Sequence, residues 1–400
     1  MKRPHRRVGT VAAAWLFVLL TAELMLGGPF GSVFLGMNIR YVLWGVTAAV
    51  SFPEVALAGT GSRLCRGWVC FALTLMVVWG FVVPISTGGS LDAAFQDSRP
   101  LLASVVVGAA SCAVRYFGLG RLLTIVAWIS VVPTVAICSS WTWQTAFGDG
   151  SPAEWLTLWL RGSEEWRSGV YIGPMPGGSY RVMWVFVMFL PFVVLSRTYS
   201  RWFFMWVALT GYAAACSGTR AIMVAWGVSL ACVVVLRWGF RGIVASAAVA
   251  AIGVCSYAEI EGFRGLSFAD LSDENDPRRL QASALLEAWA AAPLIGHGFG
   301  SAVNVVRSDT APFSYELTYL ALLCKVGVIG AAMIVTGAVG LATKCARLTR
   351  TQQALAATSA GCFLLITATN PYLLNLFGIW LASLLVAVLD AIPRKHRARR

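Results

Sequence analysis

Charged side chains are scarce in this chain of 400 residues: only 12% are Asp, Glu, Lys or Arg, while 58% are hydrophobic. Soluble globular proteins carry about 25% charged residues, so this composition, with a mean hydropathy of +0.73, excludes a soluble fold. The hydrophobic residues form continuous runs that do not alternate with polar ones, which excludes a transmembrane β-barrel. The sequence therefore predicts an all-α polytopic membrane protein.

Clustered metal ligands and disulfide patterns are also missing. No Cys-x-x-Cys spacing occurs among the ten cysteines, and His297 is the only histidine outside the terminal tails. Neither of the two long connections between hydrophobic runs contains a cysteine. We therefore predict no metal site and no disulfide framework. The connections on the other side are too short for a domain that would bind a soluble cofactor such as ATP, so we predict no cofactor.

The net charge of +13 is distributed as a topology signal and not as a nucleic-acid surface. Twelve hydrophobic segments are predicted to be spans: 8–27, 34–57, 67–87, 100–117, 122–142, 182–196, 202–216, 221–236, 242–258, 316–341, 354–370 and 372–390. With this division, 20 of the 31 Lys and Arg lie in the connections and tails on one side. The positive-inside rule makes that side, and both termini, cytoplasmic.

The chain is predicted to be a single integral membrane domain, 1–400, with two longer outer loops. The first outer loop, 143–181, contains an amphipathic stretch over 152–166, where tryptophans and leucines stand beside charged residues. That mixture is typical of a helix lying in the membrane interface. The second outer loop, 259–315, contains an amphipathic helix of its own.

This second-loop helix is predicted to begin at Pro277, with Asp276 as its N-cap. Pro293 and the glycine-rich 296-GHGFG-300 are predicted to end it. Helical spacing puts four apolar side chains on one face. They are Ala282, Leu285, Leu286 and Trp289.

Arg220 is the most informative charge near a span, because a charged side chain at the bilayer centre costs about 2.5–3.5 kcal/mol. It closes the hairpin tip 217-SGTR-220 between the predicted spans 202–216 and 221–236. These spans reach only about 22 and 24 Å of a core about 30 Å thick. The tip is therefore predicted to lie below the outer surface, where an arginine needs an anion or a water-filled cavity. The alternative is that Arg220 snorkels to lipid phosphates or pairs with a structural carboxylate.

Three further charges lie in or beside predicted spans. Glu316 stands at the outer mouth of the tenth span, either as a functional carboxylate or as a boundary residue that the helix dipole favours. Lys325 lies nine residues further on and is a candidate partner for Glu23 or Glu54. Arg40 lies about six residues inside the second span, and its alternative reading is again a snorkelling arginine.

Three motifs in this order resemble the bacterial O-antigen ligase and polymerase superfamily. A short outer hairpin ending in Ser-x-x-Arg is similar to 217-SGTR-220. An arginine about fifteen residues before a Pro-Leu-x-Gly-x-Gly turn is similar to Arg278 followed by 293-PLIGHGFG-300. A segment that closes on Gly-x-x-Gly is similar to 316-ELTYLALLCKVGVIG-330. The resemblance covers 202–330 in local detail and the rest of the chain only in the layout of spans.

The resemblance implies a GT-C-like membrane glycosyltransferase in the bacterial inner membrane. Its donor would be a glycan on a polyprenyl diphosphate, its acceptor a glycan or a lipid-linked molecule, and its reaction metal-independent and inverting on the outer face. Arg220 and Arg278 would clamp the diphosphate, since guanidinium groups bind phosphate oxygens bidentately. Glu316 would be the base that activates an acceptor hydroxyl. The predicted substrate-binding residues are Arg279, Arg40, His297 and Ser217.

One position departs from the ligase pattern. Ligases of this superfamily usually carry a His-Asn pair at the start of the third motif, where this chain has Glu316 and Leu317. This favours a polymerase of polysaccharide repeats over an O-antigen ligase. His297 is then either a displaced functional group or a loop histidine bonded to backbone.

A transporter, in particular a flippase for lipid-linked sugars, is the alternative from a different class. Twelve spans with both termini inside are common in carriers, and arginines lining a cavity would suit a flippase. Carriers of that layout tend to have two similar halves. The two long loops of this chain are both on the outer side and differ in length, which does not fit two similar halves. The predicted partners are therefore the carrier-linked glycan, its acceptor and membrane lipids, and no nucleic acid.

Overall fold

The computed structural model describes most of the chain. The described residues are 8–26, 33–34, 37–56, 63–147, 170–174, 180–239, 241–242, 244, 277–305, 312–346, 348–368, 373 and 375–391. Two antiparallel hairpins occur among them. They are β1 (Val33–Phe34) with β2 (Met37–Asn38), and β3 (Val170–Pro174) with β4 (Tyr180–Trp184).

Helices make up the rest of the regular structure in these ranges. They are α1 (Val8–Leu26), α2 (Ile39–Ala56), α3 (Arg63–Thr87), α4 (Leu91–Phe117), α5 (Leu119–Phe147), α6 (Leu190–Ser196), α7 (Phe203–Cys216), α8 (Arg220–Trp238), α9 (Pro277–Ala291), α10 (Thr318–Cys345), α11 (Arg350–Ala368) and α12 (Leu376–Ala391). A π-helical turn, Val78–Val82, interrupts α3, and a 3-10 segment, Arg99–Val106, lies within α4.

Five of these helices, α3, α4, α5, α8 and α10, are long and apolar enough to cross a membrane. Shorter apolar stretches of 10–17 residues lie in α1, α2, α7 and α12 and at Val187–Ser196. In lipid, a helix satisfies all its backbone hydrogen bonds internally, which is why such apolar runs fold as helices. The chain is a helical membrane protein, as its composition predicts.

Three of the predicted spans have a different outcome. The segment 34–57 begins in the hairpin of β1 and β2 and is helical only from Ile39. The segment 182–196 begins inside β4, continues as a 3-10 turn over Val185–Phe189 and becomes α-helical only at Leu190. Its β-branched and aromatic residues favour extended backbone, and the seven residues of α6 rise only about 10 Å. The prediction of a continuous helix is wrong there. The predicted span 242–258 lies almost wholly outside the described residues.

The described residues of the predicted first outer loop, 143–181, form regular structure at both of its ends. Helix α5 continues to Phe147, so the first residues of this loop are helical. Its C-terminal part is the hairpin of β3 and β4, which the sequence did not indicate. The predicted interfacial helix over 152–166 lies outside the described residues.

The packing of the bundle centres on α1 and α4. Helix α1 packs against α2, α4 and α5, while α12 packs against α3 and α4. Two indole groups connect these helices: Trp380 Nε1 donates to Thr21 Oγ1 at 3.1 Å, and Trp68 Nε1 donates to Ser383 Oγ at 3.0 Å. Hydrogen bonds of this kind hold helices together where lipid competes for apolar contacts. A second group forms where α8 packs against α6 and α11.

Helices α3 and α4 form a hairpin that defines the two ends of the bundle. Gly88, with a φ of 71°, ends α3, and the Ser90 hydroxyl caps α4 by accepting from Ala93 N at 3.3 Å. At the opposite end, Arg115 Nη2 lies 3.5 Å from Asp390 Oδ2. The closed end of this hairpin is the end at which the candidate site lies.

Candidate functional site

Helix α10 is broken at Gly327, which has a φ of 61° and a ψ of −171°. Backbone in this region is essentially restricted to glycine. The break removes helical partners from the neighbouring N–H and C=O groups, and at membrane depth each of these must be satisfied within the protein. A partner segment for the break is therefore required.

The glycine-rich loop 293–300 is this partner. Four backbone hydrogen bonds of 2.8–3.0 Å run from His297 N to Cys324 O, from Gly298 N to Lys325 O, from Val328 N to Pro293 O and from Ile329 N to Leu294 O. The loop also binds α3, because Trp79 Nε1 donates to Ile295 O at 2.7 Å. The two glycine-rich motifs of the sequence are thus two sides of one backbone-paired joint.

Close approach explains why glycines stand on both sides of this joint. A Cβ on Gly296, where φ is 76°, would lie 2.4 Å from Lys325 O. A Cβ on Gly327 would lie 2.4 Å from Leu294 O. Neither carbonyl can move without breaking the pairing, so both positions require a residue without a side chain.

Helix α9 is attached to the N-terminal half of α10 by its apolar face. Leu285 is buried against Tyr315, Ala321 and Cys324. The predicted face is partly wrong, because Leu286 is 48% exposed. Gln281 is buried in its place. The helix is rotated so that Leu285 lies at the centre of the contact, which the packing decides and the periodicity alone does not.

This packing brings Arg278, in the first turn of α9, to the residues just before α10. Its Nε donates to Glu316 Oε2 at 2.7 Å. The side chains are 52% and 24% exposed, respectively. Two of the three predicted catalytic residues are therefore in direct contact at an open surface, although 38 positions separate them in the sequence.

The first turn of α9 concentrates positive charge. It contains Arg278 and Arg279, both exposed, and no acidic residue. The unsatisfied N–H groups of a helix N-terminus already carry a partial positive charge, so two arginines there require an anion nearby, and Glu316 supplies one to Arg278. This turn is suited to a phosphate or another anion. The predicted N-cap, Asp276, lies outside the described residues.

A second ion pair lies deeper, beside the break in α10. Lys325 Nζ is 2.6 Å from Asp97 Oδ2, with side chains only 9% and 14% exposed. Lys325 also donates to Phe313 O at 2.8 Å, and Gly300 N donates to Asp97 Oδ2 at 2.8 Å. Lys325 is thus paired with Asp97 of α4, a partner that the sequence did not indicate, while the side chain of the expected partner Glu54 lies outside the described part of the structure. The pairing arises because the loop 293–300 carries α10 against the start of α4.

A cavity of about 160 Å³ opens between this buried pair and the segment before α10. It is lined by Gln96, Asp97, Phe313, Thr318, Lys325 and Asn375, among others. Tyr315 and Thr318, which flank Glu316 in the chain, both line it. The cavity therefore lies close to Glu316 along the chain, although neither Glu316 nor Arg278 is among the residues that line it.

Arg220 and Ser217 lie in a tight turn between α7 and α8. Ser217 is fully buried; its hydroxyl donates to Ala214 O at 2.6 Å and accepts from Thr219 N at 3.2 Å. These contacts make Ser217 a residue of the turn, and they give no support to its predicted contact with substrate. Arg220 is half-buried and is the first residue of α8.

Of the two helices that flank the hairpin tip, only α7 is short enough to place Arg220 below the outer surface. Helix α7 has 14 residues and rises about 21 Å, as short as predicted. Helix α8 has 19 residues and rises about 28 Å. It is longer than predicted because it continues to Trp238, where Arg237 lies over the indole ring at 5.3 Å, and ends only at Gly239.

The register of α8 against α11 locates Arg220 along the bundle. Thr358 Oγ1 donates to Cys232 Sγ at 3.1 Å, and Cys362 Sγ donates to Ala225 O at 3.3 Å. The two helices are therefore antiparallel. Arg220, about 7.5 Å before Ala225 along the axis, lies at the level of the last turn of α11.

The same last turn of α11 contacts the start of α10. Tyr319 Oη donates to Leu364 O at 2.5 Å and lies 3.0 Å from Thr367 Oγ1. Tyr319 is three residues after Glu316. Arg220 and Glu316 therefore lie at one end of the bundle, on either side of the end of α11.

The structure gives less support to substrate binding by two other predicted residues, His297 and Arg40. His297 Nε2 lies 2.7 Å from Ala288 O, so the ring fastens the loop to α9, as the alternative reading has it. Arg40 is the second residue of α2, which begins at Ile39. It was predicted to lie six residues inside a span, and its position at a helix start removes that anomaly. The side chain of Arg40 lies outside the described part of the structure.

Within the described ranges, no group of three or more His, Cys, Asp and Glu side chains is placed to hold a metal ion. The site is instead composed of arginines, carboxylates and a lysine. These groups bind anions and hydroxyls and can accept a proton.

Comparison with known proteins does not assign the chain to a family. No protein-family model matches it, and no curated protein is significantly similar. The likeness to the O-antigen ligase and polymerase superfamily therefore depends on the three sequence motifs alone.

Proposed function

We propose that the chain is a membrane glycosyltransferase that polymerises oligosaccharide repeats carried on a polyprenyl diphosphate. The single observation that carries this proposal is the contact of Arg278 with Glu316 at 2.7 Å, in the first turn of a helix and beside an open cavity. A cation for a phosphate and a carboxylate for a hydroxyl are the two groups that glycosyl transfer from a diphosphate requires.

The ion pair suggests how binding of the donor prepares the base. The Arg278 guanidinium has five N–H donors and is half exposed. A diphosphate has the higher charge and competes for this guanidinium, which draws it away from Glu316. Glu316 is then released from Arg278 and can take the proton of an acceptor hydroxyl.

The transfer step breaks two bonds, the O–H of the acceptor and the bond from the anomeric carbon to the diphosphate, and it forms two. The acceptor oxygen attacks the anomeric carbon, its proton goes to Glu316, and the bond from that carbon to the diphosphate oxygen breaks with the electron pair on the diphosphate. Arg278 stabilises the departing charge, with Arg220 from the other side of the site. Direct attack inverts the anomeric centre. Each step uses side chains of this protein alone, so the proposed reaction is metal-independent.

The distribution of charge supports placement of this site on the outer face of the bacterial inner membrane. Arg63, Arg66 and Arg115 lie at the end of the α3–α4 hairpin opposite the site. Asp92, Asp97 and Arg99 lie near its closed end, which is therefore the less basic of the two. Basic residues favour the cytoplasmic side. With both termini cytoplasmic, the site faces outward, where lipid-linked glycans are assembled without soluble nucleotides.

Membership in the O-antigen ligase and polymerase superfamily, with a GT-C-like fold, is part of this proposal. The packing supports it by giving a physical reason for the motif glycines: Gly296 and Gly327 form the joint that carries α9, and hence Arg278, onto Glu316. The glutamate at the position where ligases have histidine favours the polymerase over the ligase.

Deletion of the gene, followed by gel analysis of cell-surface and carrier-linked glycans, tests the function. We expect the ladder of chain lengths to disappear, with a single repeat still transferred to its final acceptor. Long chains that accumulate on the carrier beside bare acceptor would indicate a ligase. Repeats trapped on the cytoplasmic face would indicate a flippase, and an unchanged glycan pattern would contradict all three functions.

A further inference from the structure

We propose that the cavity of about 160 Å³ beside Glu316 is a binding site for an uncharged polyol, namely one sugar ring of the acceptor. This inference rests on the proposed function, and it assigns donor and acceptor to different parts of the site. The diphosphate binds the exposed arginines, and the acceptor ring binds the cavity between α4, α10 and α12.

The charge of the cavity excludes phosphate as its ligand. Among the described residues that line it, Lys325 is the one cation, and Asp97 neutralises it at 2.6 Å. A phosphate in the cavity would therefore meet a carboxylate without a net positive charge to offset it. The exposed Arg278 and Arg279 nearby are the stronger anion site.

The polar groups of the cavity suit hydroxyls, which both donate and accept hydrogen bonds. Asn375 accepts from Gly378 N through Oδ1 at 2.9 Å, and its amide N–H groups have no partner among the described residues. Gln96 donates to Asp92 Oδ2 at 2.7 Å, which leaves its carbonyl oxygen as an acceptor. Both amides line the cavity and present one donor group and one acceptor.

The carboxylate of Asp97 and the phenol of Tyr315 add a further acceptor and a further donor. Asp97 uses Oδ2 for Lys325 and Gly300, so Oδ1 can accept from a ligand. Burial raises the pKa of Tyr315, which keeps its hydroxyl protonated while that oxygen accepts from Val303 N at 2.6 Å. The proton of this hydroxyl is not used in that bond and remains available as a donor.

The apolar part of the lining and the size complete the match to a sugar ring. Pro100, Phe313 and Leu322 give surfaces for the C–H faces of a ring. The volume is below the about 300–1,000 Å³ of sites for drug-sized ligands. It holds about five waters' share of liquid volume, which suits one ring and not a longer glycan.

The position of the cavity gives the bound ring its role. Tyr315 and Thr318 line it, and Glu316 stands between them in the chain. A hydroxyl at the mouth of the cavity is thereby brought beside the carboxylate that would take its proton. Orientation of this kind lowers the barrier by fixing the reacting atoms in advance.

Two ligands and two kinds of variant test the assignment. The first probe is the repeat-unit oligosaccharide released from its lipid carrier by mild acid, which has no phosphate, and the second is polyprenyl diphosphate without glycan. Binding to the full chain in nanodiscs is measured by saturation-transfer NMR. Asn375→Ser, which keeps a capping oxygen for α12, and Gln96→Met remove the two amides, while Asn304→Ser is a control at an exposed residue outside the cavity.

We expect Asn375→Ser and Gln96→Met to weaken oligosaccharide binding about three- to tenfold each, the effect of one lost hydrogen bond, and to leave polyprenyl diphosphate binding unchanged. Arg278→Ala should show the reverse pattern, and Asn304→Ser should change neither. If the cavity variants bind the oligosaccharide as well as the wild type does, or lose the diphosphate instead, the inference is wrong while the proposed function survives. If the wild type binds neither probe, the proposed function fails as well.

Discussion

The pairs Arg278–Glu316 and Asp97–Lys325 both attach another element to the start of α10, and their N–O distances are almost equal at 2.7 and 2.6 Å. Their surroundings differ. The side chains of the first pair are 52% and 24% exposed, whereas those of the second are 9% and 14% exposed. Asp97 and Lys325 each make a further hydrogen bond to backbone, to Gly300 N and Phe313 O.

The difference in exposure indicates which pair a ligand in solution can reach. An exposed ion pair contributes about 0–1 kcal/mol to stability, so a ligand can separate Arg278 from Glu316 at little cost. Removal of one partner from a buried pair costs about 3–5 kcal/mol because the other charge is left without compensation. We infer that the exposed pair serves the reaction and that the buried pair holds the joint between α4, the loop 293–300 and α10.

The largest expected effect is on activity and concerns the exposed pair. Arg278→Ala and Glu316→Gln should each lower glycan transfer at least about a hundredfold, in the range of a lost general base or charge stabiliser. Arg278→Lys should rescue poorly, since lysine lacks the bidentate fork. The ladder of glycan lengths in complemented deletion cells measures the transfer.

The thermal unfolding temperature of the same variants in detergent is the control. It should change little, because the pair contributes at most about 1 kcal/mol. A large drop in unfolding temperature would show that the exposed pair is needed for stability. It would then not differ from the buried pair in this respect. Full activity of Glu316→Gln would remove Glu316 as the base.

The next effect is on stability and concerns the buried pair. Lys325→Met should destabilise the protein by about 3–5 kcal/mol, because it leaves Asp97 charged and buried. The double variant Asp97→Asn with Lys325→Met should recover part of this loss, since no isolated charge remains. Denaturation in mixed micelles gives the free energy of unfolding. A double variant that is less stable than Lys325→Met alone would show that the charges do not act as a pair.

The sequence predicts one of these pairs better than the other. The motif likeness singled out Arg278 and Glu316, and the helical pattern after Pro277 predicted the helix that brings them together. The partner of Lys325 was not found, because Asp97 lies more than 200 residues away in the chain and periodicity has no information on such contacts. A buried lysine requires an anion, so a search of all outer-end carboxylates would have included Asp97.

The break in α10 was missed for a related reason. An isolated glycine in an apolar run is tolerated in a helix at about 1 kcal/mol, so Gly327 alone does not indicate a break. Only the backbone pairing with 293–300 makes the broken form the more favourable one. The same packing rotates α9 and exposes Leu286, which the simple helical pattern placed on the buried face.

The smallest expected effect concerns this break, which stands two residues after Lys325. Gly327→Ala puts a side chain at a φ of 61°, with its Cβ 2.4 Å from Leu294 O. Strain in this backbone region costs about 1–3 kcal/mol, and a shift of the loop would disturb the contact of Gly300 with Asp97. Gly340→Ala, in the same helix and with nothing within 4 Å of the new Cβ, is the matched control and should be neutral or slightly stabilising. If both variants unfold at the same temperature, α10 can straighten at Gly327 without cost. The pairing of α10 with the loop 293–300 would then not require a glycine at this position.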